Sequence, residues 1–306
     1  MTTGTAALNS TSPAVVRSPQ FERPAGEGLA APACTLPEEP LVSVVMTSFN
    51  SAPWLPAAAQ SVLAQSWSRL ELVLVDDAST DDSLDIALRL ADADSRVRVF
   101  AMDRNSGTYA AKNAGMAGAH GEVITFMDSD DAIDPERIAR QLALLRRPGL
   151  VATTCNYVRR TAAGELVLNR GLAERQALIS LMIKRQVVDE VGWFDAVRTS
   201  ADDEYFERIR HSYGRQAHAN VAEPLYVALH RESSLSTSNA TGTRMQAENA
   251  EDFLSAPRRA YVEAYRAWYA TLAAEGLRPC MPRHVGPLRP FPVHPAVAGT
   301  PHPGGG

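Results

Sequence analysis

Between residues 41 and 147 apolar and polar positions alternate on the scale of whole elements. "LVSVVMTSF" (41–49) is an unbroken, largely β-branched run, "PWLPAAAQSVLAQ" (53–65) has helical spacing, and "LELVLVDD" (70–77) is apolar again until its last two residues. "DDSLDIALRLADA" (81–93) reads as a helix with Ser79 or Thr80 as its N-cap. "RVRVFAM", "GTYAAKNAGMAGA", "EVITFMD" and "PERIARQLALLRR" repeat the sequence strand, helix, strand, helix. Strands without inner polar alternation, separated by helices, predict a mostly parallel sheet covered on both faces.

After residue 150 the runs shorten. "LVATTCNYV", "ELVLN" and "ALISLMIK" predict strands with a turn near Ala163 and Gly164, "ADDEYFERIRHSYG" (201–214) a helix and "PLYVALH" (224–230) a last strand. Residues 244–275 read as helical with a break at Pro257. Their second half mixes Arg258, Arg259 and Arg266 with Tyr261, Tyr265, Trp268 and Tyr269. That mixture suits either peripheral membrane contact through 257–275 or packing of a terminal helix on its own domain. Residues 1–40 and 280–306, rich in Pro, Ala, Gly and small polar residues, read as a disordered leader and tail. The spacing of His284, His294 and His302 in that tail is that of a solvated linker.

Composition narrows the classes. With 306 residues and 45% apolar content the chain can bury a sizeable core, and a net charge of -5 gives no basic face for nucleic acid. Three distant cysteines, Cys34, Cys155 and Cys280, form neither a disulfide framework nor a metal knuckle. No run nears the ~18 apolar residues of a spanning helix and no signal peptide opens the chain, so a cytoplasmic protein is expected. Only Lys112 and Lys184 are lysines, which makes each conspicuous.

The candidate chemistry lies where the strands end. Parallel sheets bind ligands at their carboxyl edge, and the acids gather there: Asp76 and Asp77 after the second strand, Asp128, Asp130 and Asp131 after the fourth. Asp128 and Asp130, two apart in an extended segment, would point the same way and form a hard-oxygen site for Mg²⁺ or Mn²⁺. Asp134 would cap the helix begun at Pro135. "MTSFNSAP" replaces the Gly-rich fingerprint expected after the first strand of a dinucleotide enzyme.

Taken in order, "VSVVMTSFNSAPWLPAAAQSVLAQ", "LELVLVDDASTDDS", "RVRVF", "NSGTYAAKNAGMAGAHGEVITFMDSDD", "LISLMIKRQVVDEVGWFD" and "ADDEYFERI" resemble the family 2 glycosyltransferases. The resemblance implies a GT-A fold, a Rossmann-like, mostly parallel sheet flanked by helices, over 41–240. Residues 41–135 would be the nucleotide-sugar-binding half, 150–236 the acceptor half and 241–279 a helical extension. It further implies an inverting transfer from a nucleotide-sugar, UDP-linked, to a glycan or lipid-linked glycan at the inner membrane face. Thr47 and Phe49 would line the nucleoside pocket, with Asp77 and Asp76 accepting from base or ribose. Asn105, Gly107 and Asn113 belong to the same segment, and Lys112 would meet the diphosphate or donor sugar. Asp128 and Asp130 would be the DxD pair, one toward sugar or ribose and one toward the metal, with Asp131 supporting. Matching the family's helix start through Glu204 and Arg208 makes Asp202 the base and Asp203 the second choice, although Ser200 with Asp203 also reads as a plain capping box. His230 or Arg231 would close over the phosphates. A catalytically silent sugar-nucleotide binder and a nucleotidyltransferase are the alternatives: the first predicts loss of the base, the second a Gly/Arg-rich first loop.

Overall fold

The computed structural model describes residues 21–24, 35–168, 171–231, 254–283 and 289–298. Its frame is built by β2 (Val42–Ser48), α1 (Leu55–Leu63), β3 (Leu70–Asp76), α2 (Ser83–Ala93), β4 (Val97–Ala101), α3 (Thr108–Gly118) and β5 (Val123–Asp128). A short β1 (Glu22–Pro24) precedes them. Beyond them come β6 (Ala132–Ile133), α4 (Arg137–Leu145), β7 (Ala152–Arg160), β8 (Leu166–Val167), β9 (Glu174–Lys184), α5 (Gln186–Val191), α6 (Ala201–Tyr213) and β10 (His218–Leu229). α7 (Ala256–Ala274), β11 (Leu277–Pro279) and α8 (Pro295–Ala298) follow.

The main sheet runs β4-β3-β2-β5-β9-β7-β10-β6, with β8 on β7. β4, β3, β2 and β5 are parallel, as is β7 with β10, whereas β9 is antiparallel to both of its neighbours. Each residue of β2 and β3 is buried because both sheet faces are covered. Val45, Val73 and Val75 enter one core with α3, α6 and α7, while Val44, Met46 and Leu74 enter the other with α1, α2 and α4. α3 lies unusually close to the sheet: a Cβ on Gly115 would stand 2.5 Å from Val45 Cγ1.

Several local expectations shift. α2 starts at Ser83 and is capped by neither Ser79 nor Thr80; Asp81 Oδ1 instead accepts from the Ser83 amide at 3.0 Å. α4 starts at Arg137, and Asp134 accepts the Glu136 amide in the turn before it, at 2.9 Å. Pro257 sits in the first turn of α7, where a missing N–H costs nothing, and does not break it. Residues 244–253 lie outside the described residues, as do Cys34, His284 and His302.

Parts of the expected leader and tail are built into the fold. β1 pairs antiparallel with β11, and Phe21, Phe291 and Val297 are fully buried in the core beside α7. The aromatic face of α7 is turned inward: Tyr261, Tyr265, Trp268 and Tyr269 are each at most 4% exposed. Of the two readings of 257–275, that burial favours domain packing over peripheral membrane contact, because the aromatic face of the helix is already covered. Among the described residues no helix is long and apolar enough to cross a membrane.

Candidate active site

A cleft of about 770 Å³ opens along the carboxyl edge of the sheet. The end of β5 contributes Asp128, Asp130 and Asp131, α3 contributes Thr108, Tyr109 and Lys112, and α6 contributes Asp202, Asp203 and Glu207. α7 closes one wall with Arg258, Val262, Tyr265 and Arg266. Two parts of the chain far apart in sequence, the end of β5 and α6, thus bring acids to one space.

The acidic turn is not the extended segment that alternation predicts. β5 ends at Asp128, and the chain then turns, with the Asp131 amide donating to Asp128 O at 3.3 Å. Both leading carboxylates still line the cleft, with the Asp128 side chain 44% exposed. Asp130 is ion-paired with Arg231, whose guanidinium also lies 4.5 Å over the Trp54 ring. Burial and the neighbouring Asp128 push the Asp130 carboxyl above its ordinary range, and Arg231 opposes that. Asp131 is fully engaged: Oδ2 accepts from the Tyr226 hydroxyl at 2.6 Å and Oδ1 from the Leu229 amide at 2.8 Å. Burial, with Asp130 and Asp128 adding to it, holds its proton far more tightly than usual. Asp131 therefore fastens β10 to the acidic turn. His230 donates its amide to Arg160 O at 2.7 Å.

Lys112 is 4% exposed, its ammonium 3.8 Å from Asp128 Oδ1 and within 6 Å of the Tyr109, Phe126 and Phe194 rings. A lysine so enclosed delivers its charge at one point of the cleft. Tyr109, a turn earlier on the same helix, donates its hydroxyl to Asp202 Oδ1 at 2.7 Å. Burial, reinforced by Asp202, keeps that phenol protonated. Asp203 has its carboxyl pushed up to about 7 by burial and by Asp202. The expected capping box is not formed: Ser200 is left-handed (φ 74) and its Oγ accepts from Arg258 Nε. Glu204 and Arg208 form a fully buried pair at 2.9 Å, completed by the Tyr269 hydroxyl on Glu204 Oε1 at 2.7 Å.

The expected nucleoside contacts divide. Asp77 is 2% exposed and spends its two oxygens on the Ser106 and Gly107 amides, each at 2.7 Å. It therefore organises the loop before α3, and burial raises its pKa. Gly107 caps α3 at φ 92 with Arg198 against it, and Asn105 accepts from Arg198. Asn113 is tied to the Phe194 backbone in both directions at 2.8 and 3.0 Å. Asp76 differs: Oδ2 accepts the Ser79 amide at 2.9 Å, but Oδ1 is buried without a hydrogen-bond partner among the described residues, as is Ser48 Oγ on the adjacent strand. Thr47 bonds Thr108 at 3.0 Å, and Phe49 is 47% exposed beside this corner.

Sequence reasoning gave no role to Tyr109, Tyr226, Arg198 or Arg258. Tyr109 had a signal, standing three residues before Lys112 on a predicted helix. Tyr226 reaches Asp131, Arg258 reaches Asp203 and Arg198 reaches Asn105 only through tertiary packing.

A mostly parallel sheet with β9 inserted antiparallel between β5 and β7, carrying an aspartate-lined cleft on its carboxyl edge, is the GT-A architecture. The chain belongs to glycosyl transferase family 2, whose model matches residues 43–206. It is similar to an uncharacterized glycosyltransferase of Haemophilus influenzae, 41% identical over 118 residues, covering 39% of this chain and 47% of that one. It is also similar to TuaG of Bacillus subtilis, named for teichuronic acid biosynthesis (36% identity; 35% and 42% covered), and to the succinoglycan biosynthesis protein ExoO of Rhizobium meliloti (43%; 34% and 29%). The chain thus spans less than half the length of these curated relatives. Among solved structures, S. aureus TarS 1–349 in complex with UDP superposes with a TM-score of 0.52 at 19% identity, covering 62% of this chain and 61% of that one.

Proposed function

We propose that the protein transfers a sugar, with inversion, from a nucleotide-sugar to the hydroxyl of a glycan or lipid-linked glycan. The observation that carries this reading is the convergence of Asp202, Lys112 and the Asp128–Asp130 turn on one cleft. Asp202 stands at the first turn of α6, where the helix dipole favours a carboxylate, and Tyr109 fixes one of its oxygens. Its other oxygen, which no hydrogen bond engages among the described residues, is suited to take the acceptor's hydroxyl proton as the acceptor oxygen attacks the anomeric carbon. A single displacement from the face opposite the leaving group inverts configuration. Lys112 offers positive charge toward the diphosphate, and the unpartnered Asp76 Oδ1 is the better acceptor for a nucleoside N–H or O–H than the satisfied Asp77.

The donor set also fits a hard divalent cation, Mn²⁺ or Mg²⁺. Asp128 is exposed to the cleft, and Asp130 is held there by an exchangeable cation, the Arg231 guanidinium. Asp128 and Asp130 would hold the ion, Asp131 stiffening the turn beneath them, while Arg231 is displaced toward the phosphates. When bound, the ion supplies positive charge against the departing diphosphate. The names of TuaG and ExoO favour an acceptor in polysaccharide biosynthesis, and UDP remains the first donor nucleotide to test.

The deciding experiment screens nucleotide-sugars for Mn²⁺-dependent transfer with wild type and Asp202→Asn. Transfer is expected to fall at least about 10²-fold in the variant, while donor binding by calorimetry stays close to wild type. Undiminished transfer in Asp202→Asn removes it as base. Donor binding with no transfer to any acceptor by wild type instead favours the silent binder.

A further inference from the structure

The match to the family ends at residue 206, inside α6, yet the cleft does not end there. α7, some fifty residues further on, reaches the same turn that carries Asp202. Arg258, in its first turn, is buried, donates Nε to Ser200 Oγ and places Nη2 3.7 Å from Asp203 Oδ2. The helix holding it is anchored by Tyr261, Tyr265, Trp268 and Leu272, all buried, so the guanidinium is delivered from a rigid base.

What it grips is an uncommon conformation. Ser200 is one of three non-glycine residues with positive φ among the described residues, at 74°, and is 1% exposed. A residue with a Cβ keeps a left-handed backbone only where its surroundings over-determine it. The next residues are Ala201, which starts α6, and Asp202. The handedness of Ser200 therefore sets the direction in which α6 leaves and where the Asp202 carboxylate stands relative to Tyr109.

We infer that α7 is an integral part of the active site and that Arg258 is a positioning residue for Asp202, latching Ser200 and holding Asp203 toward α7 so that Asp202 is the acid that meets Tyr109. The inference rests on the reading of Asp202 as the base. It divides the labour between two adjacent carboxylates: α3 holds one through Tyr109, and α7 holds the other through Arg258. Asp203 is faced by Asp202 and Glu207 from α6, by Arg258, Tyr265 and Arg266 from α7, and by Tyr109 from α3. Arg258 and Arg266 are the cations of that set and the rest are acids or phenols, so removing Arg258 tightens proton binding by Asp203.

The test compares the full chain with Arg258→Gln, Arg258→Lys and Ser200→Gly. Carboxyl-carbon NMR of protein labelled at aspartate reads the pair without any donor. In Arg258→Gln the Asp203 midpoint is expected to rise by about half a unit or more, and in Arg258→Lys to return toward wild type. An unmoved midpoint overturns the inference. With the donor selected by the screen, Arg258→Gln should lower kcat about tenfold or more at neutral pH with donor KM within about twofold, and should move the acid limb of kcat/KM upward. A pH profile identical to wild type, or a loss of kcat that only tracks a loss of folded protein, overturns it as well. Should Arg258→Gln fail to fold, Ser200→Gly still decides: glycine accepts the positive φ, so Tm should hold while kcat falls, and an unchanged kcat sinks the latch. Absence of turnover in wild type with every sugar nucleotide would count against the transferase reading alone, because the NMR titration judges Arg258 independently.

Discussion

Asp202 and Asp203 are neighbours with unlike surroundings, and that difference is their chemistry. Asp202 accepts a hydrogen bond from a buried, protonated tyrosine, while Asp203, half-exposed at the wall of the cleft, is raised to about 7 by desolvation and by Asp202. The sign for stability follows. Asp203 binds its proton more tightly folded than unfolded, where its value is near 3.8, so its contribution to stability is present below about pH 4 and lost progressively up to about 7. Asp203→Asn cannot ionise, and its Tm measured by calorimetry is expected to improve relative to wild type as pH rises from 5 to 8. A Tm difference independent of pH would show that Asp203 titrates normally. The motif "ADDE" puts Asp202 first and Asp203 second as the candidate base; the unlike surroundings of the two come from Tyr109 and Arg258, each far away along the chain.

At the scale of elements, α6 is held to α7 by a buried polar node: the Glu204–Arg208 pair, the Tyr269 hydroxyl, and Arg208 donating to Val191 O and Trp193 O, each at 2.6 Å. The resemblance uses Glu204 and Arg208 only as markers of register; the structure gives them a mechanical role. Arg208→Met leaves Glu204 buried and ionisable without its countercharge, and is expected to cost about 3–5 kcal/mol in urea unfolding. A cost under about 1 kcal/mol would mean that Tyr269 alone satisfies Glu204. The strands of the first half were legible because burial on both faces leaves an unmistakable apolar run. The starts of α2 and α4 were displaced by two residues each, since Asp81 and Asp134 cap turns ahead of the helices, and a local pattern does not separate the two.

At the scale of the molecule, the two ends of the chain meet in one core. Phe21 from the expected leader and Phe291 from the expected tail are both fully buried in the cluster that also contains Trp268 of α7. Phe21→Ala is therefore expected to destabilise the folded protein by about 3–5 kcal/mol, read by urea denaturation, a result incompatible with a free leader at that position. Composition pointed the other way because single apolar residues amid Pro, Ala and Glu carry no period, and their burial depends on what β11 and α7 bring to them. The aromatic face of α7 was ambiguous for the same reason: amphipathicity reports that a face must be covered, not by what.

The sequence by itself determined the alternation of strands and helices, the two-faced sheet and the gathering of acids at its carboxyl edge, because burial periodicity and strand termini are written locally. It also carried the ordered motifs that mark the family. Only the tertiary structure decided which carboxylates remain free. Asp77 and Asp131 are consumed by backbone and tyrosine donors, Asp76 keeps a buried unpartnered oxygen, and Asp202 and Asp203 are separated by Tyr109 and Arg258. A carboxylate's role depends on its hydrogen-bond donors and its exposure, and here those donors come from elements up to ninety-eight residues away.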